Sequence, residues 1–280
     1  MNRRVVFTGA LLLCTASTAS GQQTERVRVN EDGDLVAEGA RDSSGHPVRI
    51  VITRRVHVRP AVVCKIRQVV DSFLYEYRVE NGSEAVQQIQ VFWIEAPVRV
   101  SSSRGPAHWR THIDRGRTAQ DRVYFFQLDQ SGRLKAGAAA EGFFVQSNAR
   151  PGLVRIHFVG HKPLPGEPGY SGDEAAVDSP DLQISAWLRE EIQRQLSMEF
   201  NSMRVYAIGP KSPSSLPADR ALREELREAL GIPEFQPDRE SIQALLDAAD
   251  RPALRTGLQR LAEDASGLRR DLYEALLAYR

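Results

Sequence analysis

The segment from residue 70 to residue 96 constrains the fold most, because apolar side chains recur there at every second position. The apolar face of its first half consists of Phe73, Tyr75, Tyr77 and Val79. This period of two is the pattern of a half-buried β-strand. An Asn-Gly-Ser turn at 81–83 tolerates positive φ, and Ile89, Val91 and Trp93 then repeat the alternation. The sequence therefore predicts a β-hairpin over residues 72–95.

Further short segments before residue 161 have the same character. They are 49–58, 62–70, 122–128, 141–147 and 153–160, with weaker candidates at 25–29 and 35–38. Turn residues separate them, and no helical periodicity intervenes. Strand segments without intervening helices favour an antiparallel sandwich over a parallel α/β sheet. We expect one β-sandwich domain over residues 22–161.

The second half of the chain changes to helical periodicity. Residues 162–180 are rich in proline, glycine and acids, which predicts a linker. An amphipathic helix and a return segment are expected over 181–210, and a helical C-terminal module over 218–280. Most carboxylates in these helices lie opposite the leucines, where a solvated face explains them. The predicted fold class is α+β, an antiparallel β-sandwich followed by helices.

The last apolar stripe has the spacing of a heptad repeat. It consists of Leu254, Leu258, Leu261, Ala265, Leu268, Leu272, Ala275 and Tyr279. One interpretation is a helical hairpin that packs on itself or on the sandwich. The other is a continuous helix, about 40 Å long at 1.5 Å per residue, that joins two copies of the chain as a coiled coil. A homodimer through residues 252–280 is therefore a hypothesis.

Residues 1–21 have the parts of a secretory signal peptide. Two arginines precede an apolar run at 5–13, and small residues follow. The run is shorter than the about 20 residues that a permanent transmembrane helix needs. We expect cleavage after Ala19 or Gly21, an exported protein in the periplasm or outside the cell, and no permanent membrane span.

The mature chain would have almost balanced charge and one cysteine. Cleavage removes two of the 37 Lys+Arg and none of the 36 Asp+Glu, which leaves 35 bases and 36 acids. A dedicated nucleic-acid binder would have a basic excess, so we expect no nucleic-acid partner. Cys64 alone cannot form an internal disulfide, and its place in a predicted strand indicates a buried apolar side chain.

A segment rich in arginine, residues 97–121, is the best candidate for recognition. Trp109 lies in it, with Arg104, Arg110 and Arg115 nearby. If this segment is an exposed loop, it could bind an anionic polymer, a glycan or a protein. Alanine at Trp109 should then weaken partner capture and leave stability nearly unchanged.

The histidines offer a competing interpretation. His108 and His112 are four residues apart, as are His157 and His161. Imidazole nitrogens bind zinc and copper, so a metal-dependent or hydrolytic enzyme is the alternative function. It requires three of these groups to converge. Residues four apart on a strand are about 13 Å apart, and no nucleophile or nucleotide motif is present. We therefore expect no cofactor, with zinc or copper as the alternative.

Two stretches resemble a known group of proteins. Phe73-Leu-Tyr-Glu-Tyr-Arg-Val-Glu-Asn-Gly-Ser83 and Ala136-Gly-Ala-Ala-Ala-Glu-Gly-Phe-Phe-Val-Gln-Ser-Asn-Ala-Arg-Pro-Gly152 resemble strand pairs of secreted bacterial proteins with immunoglobulin-like sandwiches. The resemblance covers about residues 70–160 and has Ala138 where that group usually has serine. It implies an immunoglobulin-like fold and export, and no catalytic residues. The sequence thus favours a non-catalytic binding or scaffolding module with a protein or glycan partner.

Overall fold

A computed structural model of the protein describes residues 25–31, 34–52, 56–117, 120–161, 182–195, 202–248 and 251–279. The predicted signal peptide (1–21) and linker (162–180) lie outside these residues. In the described ranges, no helix is both long and apolar enough to cross a membrane.

The described residues form thirteen strands and five α-helices. The strands are β1 Arg26–Val29, β2 Leu35–Asp42, β3 Pro47–Ile52, β4 Pro60–Val69, β5 Ser72–Asn81, β6 Ile89–Ala96, β7 Ser102–Arg104, β8 Trp109–Arg115, β9 Asp121–Gln127, β10 Ala139–Ser147, β11 Arg150–Gly160, β12 Leu182–Gln183 and β13 Met203–Ser212. The helices are α1 Ala186–Gln195, α2 Ala218–Ala229, α3 Arg239–Asp247, α4 Arg251–Asp264 and α5 Leu268–Leu277. Short 3-10 helices cover Gln130–Gly132 and Pro233–Asp238.

Three antiparallel sheets organise these strands. Sheet I contains β1, β2, β3 and β12, with β2 as the central strand. Sheet II has the order β4-β5-β10-β7, and sheet III has the order β13-β11-β6-β9-β8. Sheets II and III pack face to face, and helices follow them in the chain. The predicted α+β fold class, an antiparallel β-sandwich with a helical C-terminal module, is confirmed.

An aromatic cluster fills the space between sheets II and III. The Phe92 ring on β6 lies 4.7 Å from that of Phe125 and 5.3 Å from that of Phe158, both on sheet III. Phe143 of sheet II meets Phe92 edge-on at 5.0 Å. Aromatic side chains bury large apolar areas and prefer such stacked and edge-to-face geometries. This cluster therefore fixes how the two sheets face each other.

The predicted hairpin over 72–95 is wrong, although both of its strands exist. β5 pairs with β4 and β10 in sheet II, whereas β6 pairs with β9 and β11 in sheet III. The turn residues mark a corner where the chain crosses between sheets. The buried Asn81 side chain accepts from the Arg59 N–H at 2.9 Å and donates to the carbonyls of Gln87 and Leu134 at 2.8 and 3.1 Å. It thus ties three separate segments to the corner.

The first strands also differ from the prediction of a single sandwich over residues 22–161. β1 to β3 belong to sheet I, which has a core of its own with α1. That core consists of Leu35, Ala37, Ala40, Ile50, Leu188 and Ile192. Conversely, the expected return segment after α1 is β13, an edge strand of the sandwich that pairs with β11. Elements that are neighbours in the sequence therefore belong to different sheets, as α1 packs on sheet I and β13 belongs to sheet III.

The C-terminal stripe forms a helical hairpin and not one long helix. α4 ends at Asp264 and α5 begins at Leu268, after Gly267 with a φ of +58°. This left-handed conformation favours glycine. Leu258 and Leu272 are fully buried, in the same core as the sandwich. The heptad face is thus occupied within the chain, and a homodimer through 252–280 stays a prediction that would need the outer surface of these helices.

The corner at Asn81 yields a test of the fold. Alanine at Asn81 removes three hydrogen bonds to backbone groups, of which the Leu134 carbonyl keeps the Ile89 N–H as a partner. We expect a loss of about 3 kcal/mol in the free energy of unfolding, since each unsatisfied buried group costs about 1–3 kcal/mol. Urea denaturation measures this loss. Alanine at the exposed Asn148 is the control and should change stability by less than about 0.5 kcal/mol. Equal effects of the two variants would contradict the corner role.

Candidate functional site

The outer face of sheet III, which points away from the aromatic cluster, has two rows of polar and aromatic side chains. Alternation along each strand produces them: Phe92 and Phe125 point inward, so Trp93 and Tyr124 point outward. Strand register then aligns the outward residues across all five strands. This face is the candidate functional site.

One row is made mainly of rings and runs His112, Tyr124, Trp93, His157 and Arg204 from β8 to β13. The Trp93 ring stacks on His157 at 4.6 Å and on Tyr124 at 5.7 Å. Trp93 and His157 are each only 3% exposed, whereas Tyr124 is half-buried and His112 is exposed. The buried pair therefore supports Tyr124 from one side, and His112 lies on its other side at 6.4 Å.

The neighbouring row is charged and runs Asp114, Arg122, Glu95, Arg155 and Tyr206 across the same strands. Acceptors and donors alternate along it. Glu95 Oε1 lies 3.8 Å from Arg122 Nη2 and 3.4 Å from Nε2 of His157 in the first row. The hydrogen bond with Tyr206 raises the pKa of Arg155. Pairing within the row holds these side chains in place before any ligand binds.

A cleft of about 570 Å³ lies over the charged row. Its charged lining residues are Glu95, Asp114, Asp121, Arg122, Arg155, Lys211 and Glu228. Glu228 comes from α2, and its carboxylate pairs with Lys211 at 2.8 Å. The helical module therefore contributes one wall of a cleft whose floor is sheet III.

Asp121 anchors the far end of this cleft. Its side chain is fully buried and accepts from Arg99 Nη1 at 2.7 Å, from the Val100 N–H at 2.8 Å and from Arg115 Nη1 at 3.4 Å. A buried carboxylate needs such compensation. Arg115, predicted as a ligand-binding residue, thus already has an internal partner.

The prediction that Trp109 is exposed is wrong. Trp109 is the first residue of β8, 7% exposed, and its ring packs on Phe92 at 5.7 Å and on Phe143 at 5.1 Å. The alternation from Trp109 to Ile113 places it inward. The segment 97–121 is therefore not one loop, because it contains β7 and β8.

The other predicted arginines do not converge. Arg110 is exposed on the outer face of sheet III, opposite Phe126 in the register. Arg104 lies on sheet II, where its guanidinium carbon sits 4.8 Å from the centre of the Phe144 ring. Arg110 thus belongs to the candidate site on sheet III, and Arg104 belongs to a different surface.

The four candidate metal ligands are also dispersed. Two strands separate His112 from His157 in sheet III, a distance of about 14 Å. His161 follows β11 and is buried, whereas His108 lies in an exposed turn. Within the described ranges, no group of three or more His, Cys, Asp or Glu side chains could hold a metal ion. The convergence that a zinc or copper site with these histidines requires is therefore not found there.

His108 does belong to a triplet that sequence reasoning missed. Its Nδ1 lies 3.0 Å from Asp129 Oδ2 and 3.0 Å from Ser131 Oγ. In a hydrolytic triad the acid and the serine contact opposite ring nitrogens, whereas here both contact Nδ1. The hydrogen bonds from Ser131 and His108 lower the pKa of Asp129 to about 2. The triplet caps the 3-10 helix at Gln130–Gly132 and lacks the geometry of a proton relay.

Glu225 of α2 is a second feature that the sequence did not reveal, because it lies on the same helix face as the leucines. It is 1% exposed, and its Oε2 accepts from the Leu153 N–H at 2.7 Å. Burial raises its pKa to about 7, against the lowering effects of that hydrogen bond and of Lys211. A carboxylate thus holds the helical module against β11 beside the cleft.

Comparisons with known proteins give no family for the chain: no family model and no curated protein matches it. A solved structure of an uncharacterized protein from Nocardia farcinica with an immunoglobulin-like fold is similar at 14% identity and a TM-score of 0.29, over 41% of this chain and 92% of the other. A CBM3 structure from Hungateiclostridium clariflavum is similar at 13% identity and a TM-score of 0.25, over 33% and 73%. Both TM-scores are below 0.5, so neither likeness supports an inference about fold or function.

Trp109 provides a test of the placement of β8. Alanine there should cost about 3–5 kcal/mol of unfolding free energy, as for other large-to-small changes in cores. Trp187 on α1 is 51% exposed, so its alanine variant is a matched control. A Trp109 variant as stable as the Trp187 variant would contradict the buried position.

Glu225 makes stability depend on pH. Between pH 4.5, the usual pKa, and about 7, the folded protein keeps the Glu225 proton while the unfolded chain releases it. Stability is therefore full below pH 4.5 and falls as pH rises to about 7. At 1.36 kcal/mol per pKa unit the fall is about 3 kcal/mol.

Urea denaturation at pH 5 and pH 8 measures this contribution. E225Q keeps an acceptor for the Leu153 N–H and should remove most of the fall and be more stable than the parent at pH 8. The neighbouring E224Q, at an exposed position, should retain the parent's pH dependence. An E225Q variant with an unchanged pH dependence would disprove the role of this carboxylate.

Proposed function

We propose that the protein is an exported, non-catalytic binding module that holds a glycan in the cleft on the outer face of sheet III. One observation carries the proposal, which is the pair of aligned rows across this face. One row alternates carboxylates and guanidinium groups, and the other presents rings beside them.

The chemistry of a glycan suits both rows. Neighbouring sugar hydroxyls act as donors and acceptors, so they pair with adjacent acids and bases such as Glu95 and Arg122. The apolar C–H faces of the sugar ring suit contact with the half-buried Tyr124, which lies in the row of rings next to the charged row under the cleft. The cleft volume of about 570 Å³ lies within the usual range of about 300–1,000 Å³ for ligand sites.

The side chains of the site are preorganised, which favours binding. Trp93 and His157 are buried and stack against each other at 4.6 Å, so the adjoining Tyr124 has a fixed support. The ion pairs of Glu95 and of Lys211 restrain the charged lining. Little conformational entropy would then be lost when a ligand binds.

The proposed location rests on the N-terminal sequence. Its basic start, short apolar run and small-residue exit are typical of a cleaved secretory signal. A glycan ligand fits this location, because exported proteins meet cell-surface and extracellular polysaccharides.

A glycan array followed by calorimetric titration tests the proposal. The purified protein should bind at least one neutral oligosaccharide, and Y124A and E95Q should each weaken that binding at least about tenfold, or ~1.4 kcal/mol. W187A replaces an exposed aromatic residue on α1 and should leave the Kd unchanged. No bound oligosaccharide, or a loss with W187A but not with Y124A, would overturn the proposal.

A further inference from the structure

We propose a second binding site, on the outer face of sheet II, that takes an acidic polysaccharide chain. A groove of about 290 Å³ crosses this face, lined by Arg67, Leu74, Ser102, Arg104, Phe144 and Gln146. The groove lies on a different sheet from the cleft of sheet III, so the inference does not depend on the function proposed for that cleft.

Two arginines, Arg67 and Arg104, mark the ends of the groove. Within the described residues, neither Arg67 nor Arg104 forms an ion pair or a side-chain hydrogen bond. Arg78 on the same face differs, because it pairs with Glu80 at 3.1 Å and Glu141 at 3.3 Å. The positive charge of the groove is therefore available to an anionic ligand.

The spacing of the two cations indicates an extended ligand. Arg67 is on β4 and Arg104 is on β7, the two outer strands of sheet II, which are about 14 Å apart across three strand spacings. The two guanidinium groups therefore enter the groove from opposite sides, which suits a ligand with several anionic groups along its length. An acidic oligosaccharide with a carboxylate on successive rings spans this distance and meets both guanidinium groups.

The floor between the arginines suits sugar rings. The Arg104 guanidinium carbon lies 4.8 Å from the centre of the Phe144 ring, a cation–π contact that holds its planar donor fork. Ser102 Oγ donates to Gln146 Oε1 at 3.2 Å, and Gln146 Nε2 donates to Ser72 Oγ at 3.0 Å. An aromatic face next to a fixed chain of hydroxyl and amide groups matches the apolar faces and hydroxyls of a sugar chain.

An acidic peptide fits this groove less well. Peptides that bind sheets usually add a strand to a free edge. The edge strands of sheet II are β4, of ten residues, and β7, of three residues. A peptide added to either edge would lie beside the sheet, whereas the groove crosses the face of the sheet and is lined by side chains. The groove therefore offers side-chain contacts, which favours the polysaccharide.

Calorimetric titration with tetragalacturonate, a carboxylated oligosaccharide, tests the site. The full chain should bind it, and R67A and R104A should each weaken binding at least about tenfold. R104K keeps the charge but loses the planar fork and should lie between R104A and the parent. R78A is the matched control on the same face and Y124A is the control for the sheet III cleft, and both should leave the Kd unchanged.

Four results would overturn the inference. The first is no binding of tetragalacturonate, and the second is equally tight binding of tetraglutamate. The third is an equal loss of affinity with R78A, which would indicate attraction to net charge. The fourth is a loss of affinity confined to Y124A, which would place the ligand on sheet III. Circular dichroism and thermal melts of each variant keep these results interpretable. Because Arg67, Arg78 and Arg104 are all exposed, unchanged folding is expected.

Discussion

The row of phenylalanines centred on Phe92 determines both faces of sheet III. Phe158, Phe92 and Phe125 lie directly opposite one another on adjacent strands and point into the sandwich. Because side chains alternate along a strand, the next row must point outward, which places Trp93 on the outer face as a buried support and Tyr124 beside it as an accessible ring. A shift of one residue in any pairing would exchange core and site. The packing that stabilises the sandwich therefore also positions the side chains available for binding.

The sequence predicts where the strands lie, but it does not predict which strands pair with each other. Alternation along residues 73–79 correctly identifies β5 and its buried aromatic face, because periodicity is a local property. It cannot show that the Asn81 turn is a corner between sheets, since that depends on contacts with Arg59 and Leu134. The same limit explains Trp109: proximity to arginines suggested an exposed loop, whereas the inward direction follows from pairing with β9.

In the candidate site, the direction of each side chain is predictable from the sequence, but the order of the strands is not. The inward positions Val123 and Phe125 imply that Arg122 and Tyr124 face outward, so the sequence contained this information. What it lacked was the strand order, which brings β8, β9, β6 and β11 side by side and turns isolated outward residues into rows. Glu225 was hidden for a different reason, because a carboxylate on an apolar helix face contradicts the usual pattern and only tertiary packing explains it.

The helical module is part of the site as well as of the core. The apolar stripe of α4 and α5 is buried against the sandwich, and α2 places Glu228 at the cleft beside Lys211. The buried Glu225 on the same helix touches β11 through the Leu153 N–H. Docking of the helices therefore shapes one wall of the cleft, and a change in that docking would alter the cleft without any change in sheet III.

The division of sheet I between distant parts of the chain has a consequence for how the protein folds. β1 to β3 end at Ile52, whereas β12 and α1, which complete that sheet and its core, occupy residues 182–195. β13, which completes sheet III, follows later still. Neither unit is therefore complete until most of the chain is present, and contacts of such high sequence separation form slowly. A chain that emerges N-terminus first would expose the uncovered face of β2 and β3 until residues 182–195 are present.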